Sequence, residues 1–243
     1  MSYQLVIAEK PSVARSIAGV IGADKKQDGY MEGNGYLVSW CIGHLVSLAD
    51  AGTYDERFKK WRYDDLPKEW QYIMPDDKKK QFDTLRSLME RPDVTGLVCA
   101  TDAGREGELI FRFVYQMAGC KKPFQRLWIS SMEDAAIKDG FAHLKPGTDY
   151  DNLYQSALCR AQADWLVGIN ATRLFSILYH KTLTVGRVQT PTLKMLVDRE
   201  AKISSFQKEK YHIVQIAAGG MEAASERMRN ADDAKALKAA CET

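Results

Sequence analysis

The stretch GLVCATDAGREGELIFRF, residues 96–113, decides the fold. Gly96 to Ala100 is a short apolar run and reads as a buried strand. From Glu106 to Ala118 the apolar residues fall at helical spacing, so a helix follows. Between them lies Thr101-Asp102-Ala103-Gly104-Arg105-Glu106-Gly107-Glu108, with three acids, one arginine and two glycines. Hard oxygen ligands at a strand end suit Mg²⁺, which takes one or two carboxylates and keeps waters. The glycines let the backbone approach a phosphate. A charged first turn alone would account for Glu106 and Glu108. It would leave Asp102, Arg105 and the two glycines unexplained.

Working outward, the same pattern recurs. Leu5 to Ala8 reads as a second buried strand, followed by Glu9-Lys10-Pro11-Ser12 and a helix from Val13 to Ile21 that Gly22 stops. Alternation around Gly33-Asn34-Gly35 signals a hairpin. Tyr54 to Trp70 reads as loop, Asp77 to Glu90 as a helix, Arg126 to Ile129 as a third strand and Glu133 to Leu144 as a helix. Strands alternating with helices predict an α/β fold, a mainly parallel sheet with helices on both faces. Ligands of such sheets sit at the carboxyl ends of the strands. Glu9 and Asp102 occupy two of those ends. A carboxylate and an amine just before a helix N-terminus make a compact site for a phosphodiester, though Glu9 and Lys10 would also serve as solvated turn residues.

Lys145-Pro146-Gly147 marks a boundary. Residues 151–179 read as helical throughout and Thr190 to Ile203 as another helix, while YHIVQIA from Tyr211 is strand-like. The expected division is 1–150, 151–205 and 206–243. The net charge of +2 announces no nucleic-acid binder by itself, so any basic surface comes from local clustering. Five cysteines without a CxxC pair argue against a disulfide framework or a zinc ribbon and fit a reducing cytoplasm. There is no apolar stretch long enough to span a membrane and no signal-peptide pattern.

Five segments together resemble the type IA DNA topoisomerases of the topoisomerase III kind: AEKPSVARSIA, ATDAGREGELIFR, RLWISSMEDAAI, ADWLVGINATRL and VGRVQTPTL, in family order and spacing. The resemblance covers nearly the whole chain. It implies a Toprim catalytic domain followed by a helical DNA-groove domain, Mg²⁺ as cofactor, and single-stranded DNA as partner. The implied reaction cuts one strand through a tyrosyl 5′-phosphate link and passes another. Glu9 matches the first Toprim acid, Asp102 and Glu106 the outer acids of the DxDxE pattern, and Lys10 a lysine that stabilises the scissile phosphate. Gly104 stands where the middle acid belongs. Arg105 and Glu108 continue the match, and Arg105 is assigned to catalysis with Glu9 and Lys10.

The resemblance also implies a DNA path. Gly186-Arg187-Val188-Gln189-Thr190 contacts DNA in the family; here a glycine, a phosphate-pairing arginine and Pro191 at a helix start make physical sense of that. The groove would run along Arg160, Asp164, Asn170 and Arg173, extended by Lys181 and Arg187. Arg160 and Asp164 are four apart and could equally form a surface pair. Gly43-His44 follows an apolar run at a strand end and resembles a Gly-His step near the family's DNA path. Trp61, with Arg62 and Tyr63, suits base stacking or domain packing.

The family's nucleophile is a tyrosine in a YPRTD-like segment, and these 243 residues contain none. The expectation is therefore a fragment that holds metal and DNA without cutting. The alternatives are a non-catalytic single-stranded DNA-binding module and another Toprim protein, a primase or nuclease. The GRVQTPT segment argues against the last. No feature names a protein partner.

Overall fold

The computed structural model describes residues 2–242. Strand β1 (Tyr3–Ala8) sits at the centre of a seven-stranded sheet. It is followed by α1 (Pro11–Ile21), β2 (Lys25–Lys26), β3 (Tyr30–Gly33), β4 (Tyr36–Trp40), β5 (Ser47–Leu48), α2 (Ala51–Tyr54) and β6 (Tyr72–Ile73). Next come α3 (Lys79–Glu90), β7 (Val94–Ala100), α4 (Arg105–Met117), β8 (Phe124–Arg126), α5 (Asp134–Ala142), β9 (Lys145–Pro146) and α6 (Asp151–Tyr179). The sheet order is β2-β3-β4-β1-β7-β8-β9. Its four inner strands run parallel, and the edge strands β2, β3 and β9 are antiparallel.

Leu5, Val6, Ile7 and Ala8 of β1 are all fully buried. A parallel strand covered on both faces needs such an unbroken apolar run, since successive side chains point to opposite sides. Leu5 and Ile7 join a core with Phe82 and Leu85 of α3 and Leu109 and Phe113 of α4. Val6 and Ala8 face the other way, toward Ala14 and Ile17 of α1 and Ile137 of α5. Pro11 opens α1, and Gly22 closes it at φ 78°, its N–H bonding the Ala18 carbonyl. Asn34 (φ 47°) and Gly35 (φ 77°) form the β3–β4 turn, as the two positive φ angles of a tight hairpin require.

The third strand differs from its expected position. It covers Phe124–Arg126 rather than Arg126 to Ile129, and its pairing with β7 ends at Cys99↔Arg126. The edge strands β2 and β9, two residues each, carry no periodicity to read. The 54–70 stretch is mostly irregular, with a 3₁₀ turn at Glu56–Lys59.

Helix α6 packs into the sheet unit through Tyr154 and Ala157, both buried in its core, and the Tyr154 hydroxyl donates to Gln116 Oε1 at 3.0 Å. Compact packing thus unites residues 1–187, and residues 188–243 form a second unit. That unit holds α7 (Gln189–Ser204), a hairpin of β10 (Gln215–Ala218) and β11 (Met221–Ala224) turning at Gly219-Gly220, and α8 (Ala231–Cys241). The strand-like run from Tyr211 becomes a strand only at Gln215, with His212 bridged to Met228. Among the described residues no helix is long and apolar enough to cross a membrane.

Candidate active site and nucleic-acid interface

Adjacent parallel strands end at the same edge of a sheet, so β1 and β7 deliver Glu9 and Asp102 side by side. The Asp102 N–H donates to Glu9 Oε2 at 3.2 Å. Lys10 Nζ lies 3.7 Å from Glu9 Oε1 and 3.8 Å from Asp102 Oδ2. The Glu9 side chain is largely enclosed, whereas those of Asp102 and Lys10 are open to solvent. Arg105 is exposed at the first turn of α4.

Glu106 points elsewhere. One oxygen lies 3.4 Å from His44 Nε2, and the other 3.5 Å from Arg160 Nη1. Among the described residues no group of three or more His, Cys, Asp or Glu gathers at metal-binding spacing. The pair Glu9–Asp102 still fits a hard divalent cation that keeps most of its waters, because one or two carboxylates suffice. The Lys10 ammonium already lies close to both carboxylates, so a positive charge suits the place.

The loop from Asp102 to Gly107 is tightly held. Thr101 Oγ1 donates to the Gly107 carbonyl at 2.7 Å. A Cβ on Gly107 would collide with the Asp102 backbone, so glycine is required by close approach. Gly104 is different: its backbone is extended (φ 178°), and a Cβ there would meet nothing within 4 Å. Sequence reading noted Glu108 but missed Arg126 and the buried pairing of the two beneath this loop. Glu108 and Arg126 are both fully buried and lie 3.1 Å apart, and Arg112 Nε donates to Glu108 at 2.9 Å. The available signal was a glutamate inside the apolar face of α4 and an arginine on a buried strand. Both residue types are rarely fully buried unless paired.

From Glu106 a line of charges continues along α6. Arg160 Nε lies 3.8 Å from Asp164 Oδ2, and Arg187 donates to both Asp164 oxygens at 2.6 and 3.2 Å. That bond holds the Arg187 guanidinium above its ordinary pKa. His44 is half-buried, with its carbonyl taking the Lys78 ammonium at 2.6 Å. Lys181 is exposed just past α6.

Arg173 is not on the open track, since it is only 2% exposed. Its guanidinium lies 5.7 Å from the Trp61 ring centroid and 5.8 Å from that of Phe58, and 3.9 Å from Asp50. Its Nη1 atom has no hydrogen-bond partner. Arg173 and Trp61 line a cavity of about 260 Å³ with Asp164, Trp165 and Thr184. Asn170 donates to the Pro67 carbonyl at 2.9 Å, which ties α6 to the irregular stretch instead of leaving its amide open. Of the GRVQT segment, Gly186 and Arg187 end the first unit. Val188 begins the second as the N-cap of α7, accepting from Thr192, and Gln189 and Thr190 form the helix's first turn.

The Toprim domain family matches residues 4–132, and the DNA topoisomerase family matches residues 148–243. DNA topoisomerase 3 of Bacillus cereus (strain ATCC 10987 / NRS 248) is 49% identical over 223 residues, covering 88% of this chain and 30% of the relative. DNA topoisomerase 3 of Bacillus subtilis (strain 168) is 48% identical over 229 residues, covering 91% of this chain and 31% of the relative. The chain thus spans about 30% of the length of the curated relatives it matches. Full-length topoisomerase I from Thermotoga maritima shares the fold, with a TM-score of 0.59, 21% identity, and coverage of 96% of this chain and 37% of that one. On the strength of the Toprim match and these relatives, the chain belongs to the type IA DNA topoisomerase family, as its N-terminal, Toprim-bearing region.

Proposed function

We propose that this chain supplies the metal- and phosphate-holding part of an enzyme that cuts, passes and reseals single strands of DNA in the cytoplasm. In this reading residues 1–150 hold the metal and residues 151–205 the strand, and residues 206–243 take no part in either. The observation that carries it is the convergence of Glu9, Lys10 and Asp102 at two neighbouring strand ends. Glu9 and Asp102 would hold Mg²⁺, with Glu106 joining them if His44 and Arg160 release it. When bound, the ion would neutralise negative charge on the phosphate that reacts. Lys10 would pair a phosphate oxygen, and Arg105, exposed beside it, would take another.

The strand would run from this site past His44 and Arg160 to Arg187 and Lys181. A phosphate arriving at Arg187 or Arg160 would replace the Asp164 carboxylate, one anion for another. The cavity beside Trp61, with the unpartnered Arg173 Nη1 at its wall, supports a base-sized guest there. Within the second unit, the start of α7 at Val188 and Gln189 would itself favour a phosphate, as a helix N-terminus does. Asn170 would hold the wall of the groove.

Calorimetric titration of Mg²⁺ into wild type, Glu9→Gln and Asp102→Asn tests the metal site. Both variants should bind at least tenfold more weakly. Affinity unchanged in both would sink the assignment. A non-catalytic DNA-binding module is distinguished by the same titration, because such a module has no need of the two acids.

A further inference from the structure

Beneath the metal loop lies a buried charge network that the site's own chemistry does not use. Past Ala100 strand β7 has no ladder partner, yet the carbonyls of Thr101 and Asp102 are not left to water. Arg126 Nη1 donates to the carbonyls of Cys99 (3.1 Å), Thr101 (2.7 Å) and Leu127 (3.2 Å). Its Nη2 donates to the carbonyl of Asp102 at 2.7 Å. One side chain therefore stands in for the missing strand and grips the backbone of the residue whose carboxylate faces Glu9 and Lys10.

The guanidinium is fully buried, so its charge needs a counterion. Glu108, also fully buried, supplies it at 3.1 Å and shares its other oxygen with Arg112 at 2.9 Å. Arg112 then reaches the Gly147 carbonyl at 2.9 Å and Asp151 Oδ1 at 2.6 Å, at the first residue of α6. Two arginines and two acids balance, so the network adds no net positive charge that would repel a cation at Asp102. It also runs without a break from the start of α6, the helix carrying Arg160 and Asp164, to the Asp102 backbone.

We propose that Arg126, neutralised by Glu108 and anchored through Arg112 to α6, is the positioning residue for Asp102. It sets where that carboxylate sits and thereby the affinity of the loop for a divalent cation. Stability alone does not demand such a network. A buried ion pair pays heavily in desolvation, and well-packed apolar replacements are often as stable. What apolar side chains lack is a directed grip on the loop carbonyls. The inference rests on the metal site proposed above.

The test uses the full chain as wild type, Arg126→Lys and the double variant Glu108→Leu/Arg126→Met. A lysine keeps the charge but not the planar fork that reaches several carbonyls at once. The double variant removes both charges together. Two quantities are read: Mg²⁺ affinity by calorimetry, and hydrogen exchange of the 101–106 backbone measured without metal. In both variants Mg²⁺ should bind about 10- to 100-fold more weakly. The 101–106 amides should exchange at least tenfold faster, with protection of β1 and β7 retained. Folded variants with wild-type affinity and wild-type exchange would overturn the proposal. If neither variant folds, Arg112→Gln keeps both members of the buried pair and removes the guanidinium that links Glu108 to α6. Faster exchange at 101–106 then supports the proposal, and unchanged exchange overturns it. A wild-type chain that takes up no Mg²⁺ would strike the metal reading instead, while the exchange measurement still decides whether Arg126 grips the loop.

Discussion

Gly104 and Gly107 stand three positions apart and are hard to tell from one another on paper, yet the structure gives them opposite roles. Gly107 has no room for a Cβ, because the Asp102 backbone occupies that space. Gly107→Ala should therefore lower stability by about 1–3 kcal/mol through overpacking, read as a fall in the denaturation midpoint. A wild-type midpoint would show that the loop relaxes at no cost. Gly104 has space and an extended backbone. Gly104→Asp should fold normally and bind Mg²⁺ more tightly, since it adds an acid next to Asp102; equal or weaker binding would argue that the new carboxylate points away. The thiols separate in the same manner. Burial pushes the Cys99 thiol up to about 11, so at pH 8 it stays protonated and shielded. A disulfide reagent should label Cys159 and Cys241 in the folded chain, and reach Cys41, Cys99 and Cys120 only on unfolding. Rapid labelling of Cys99 under native conditions would contradict its burial.

Helix α6 joins two tasks along its 29 residues. Its first turns pack on α4 through Tyr154 and Ala157, and its later turns present Arg160 and Asp164 toward the charged line that Arg187 completes. Asp164 holds Arg187 through both of its carboxylate oxygens. Arg187→Ala should weaken single-stranded DNA binding alike for all sequences and flatten the slope of log affinity against log salt by about 0.7, the share of one phosphate contact. Fluorescence anisotropy at several salt concentrations reads both. A loss confined to one sequence, or an unchanged slope, would remove Arg187 from the phosphate track. Arg173 should behave differently, because it is buried against Trp61 and Phe58. Replacing it by Ala should lower thermal stability as well as DNA affinity, whereas Arg187→Ala should leave stability unchanged.

At the scale of the whole molecule, the question is whether these 243 residues can break a strand. Covalent cleavage needs a nucleophile within reach of the phosphate and a site that stabilises the developing charge. In the proposed function Glu9, Lys10 and Asp102, which converge at two strand ends, would meet the second need. No tyrosine of the chain lies in a YPRTD-like segment. The 243-residue polypeptide with Mg²⁺ should therefore neither relax supercoiled plasmid nor retain labelled single-stranded DNA on a denaturing gel. A protein-linked band would mean that one of its own tyrosines is the nucleophile.

The sequence by itself determined whatever depends on neighbours along the chain. Apolar runs at Leu5 to Ala8 and Gly96 to Ala100 dictated buried parallel strands, Gly22 and Asn34-Gly35 dictated a helix stop and a tight turn, and residues 151–179 read as one helix because local spacing alone sets that pattern. The pairing of Glu9 with Asp102 was legible too, since adjacent parallel strands end together. Only the tertiary structure decided which charges meet. Arg126 and Glu108 are 18 positions apart by number, and Asp164 and Arg187 are separated by 23. Their local sequence hints that Glu108 and Arg126 are buried, but nothing in it says that the two meet, or that Arg187 meets Asp164. Glu106 turns to His44 and Arg160 rather than to Asp102's neighbour, and Arg173 leaves the basic track for the aromatic rings of Trp61 and Phe58. The reason is physical: a long charged side chain has many rotamers of similar energy, and the one it adopts is chosen by counterions and rings that the fold alone brings within reach.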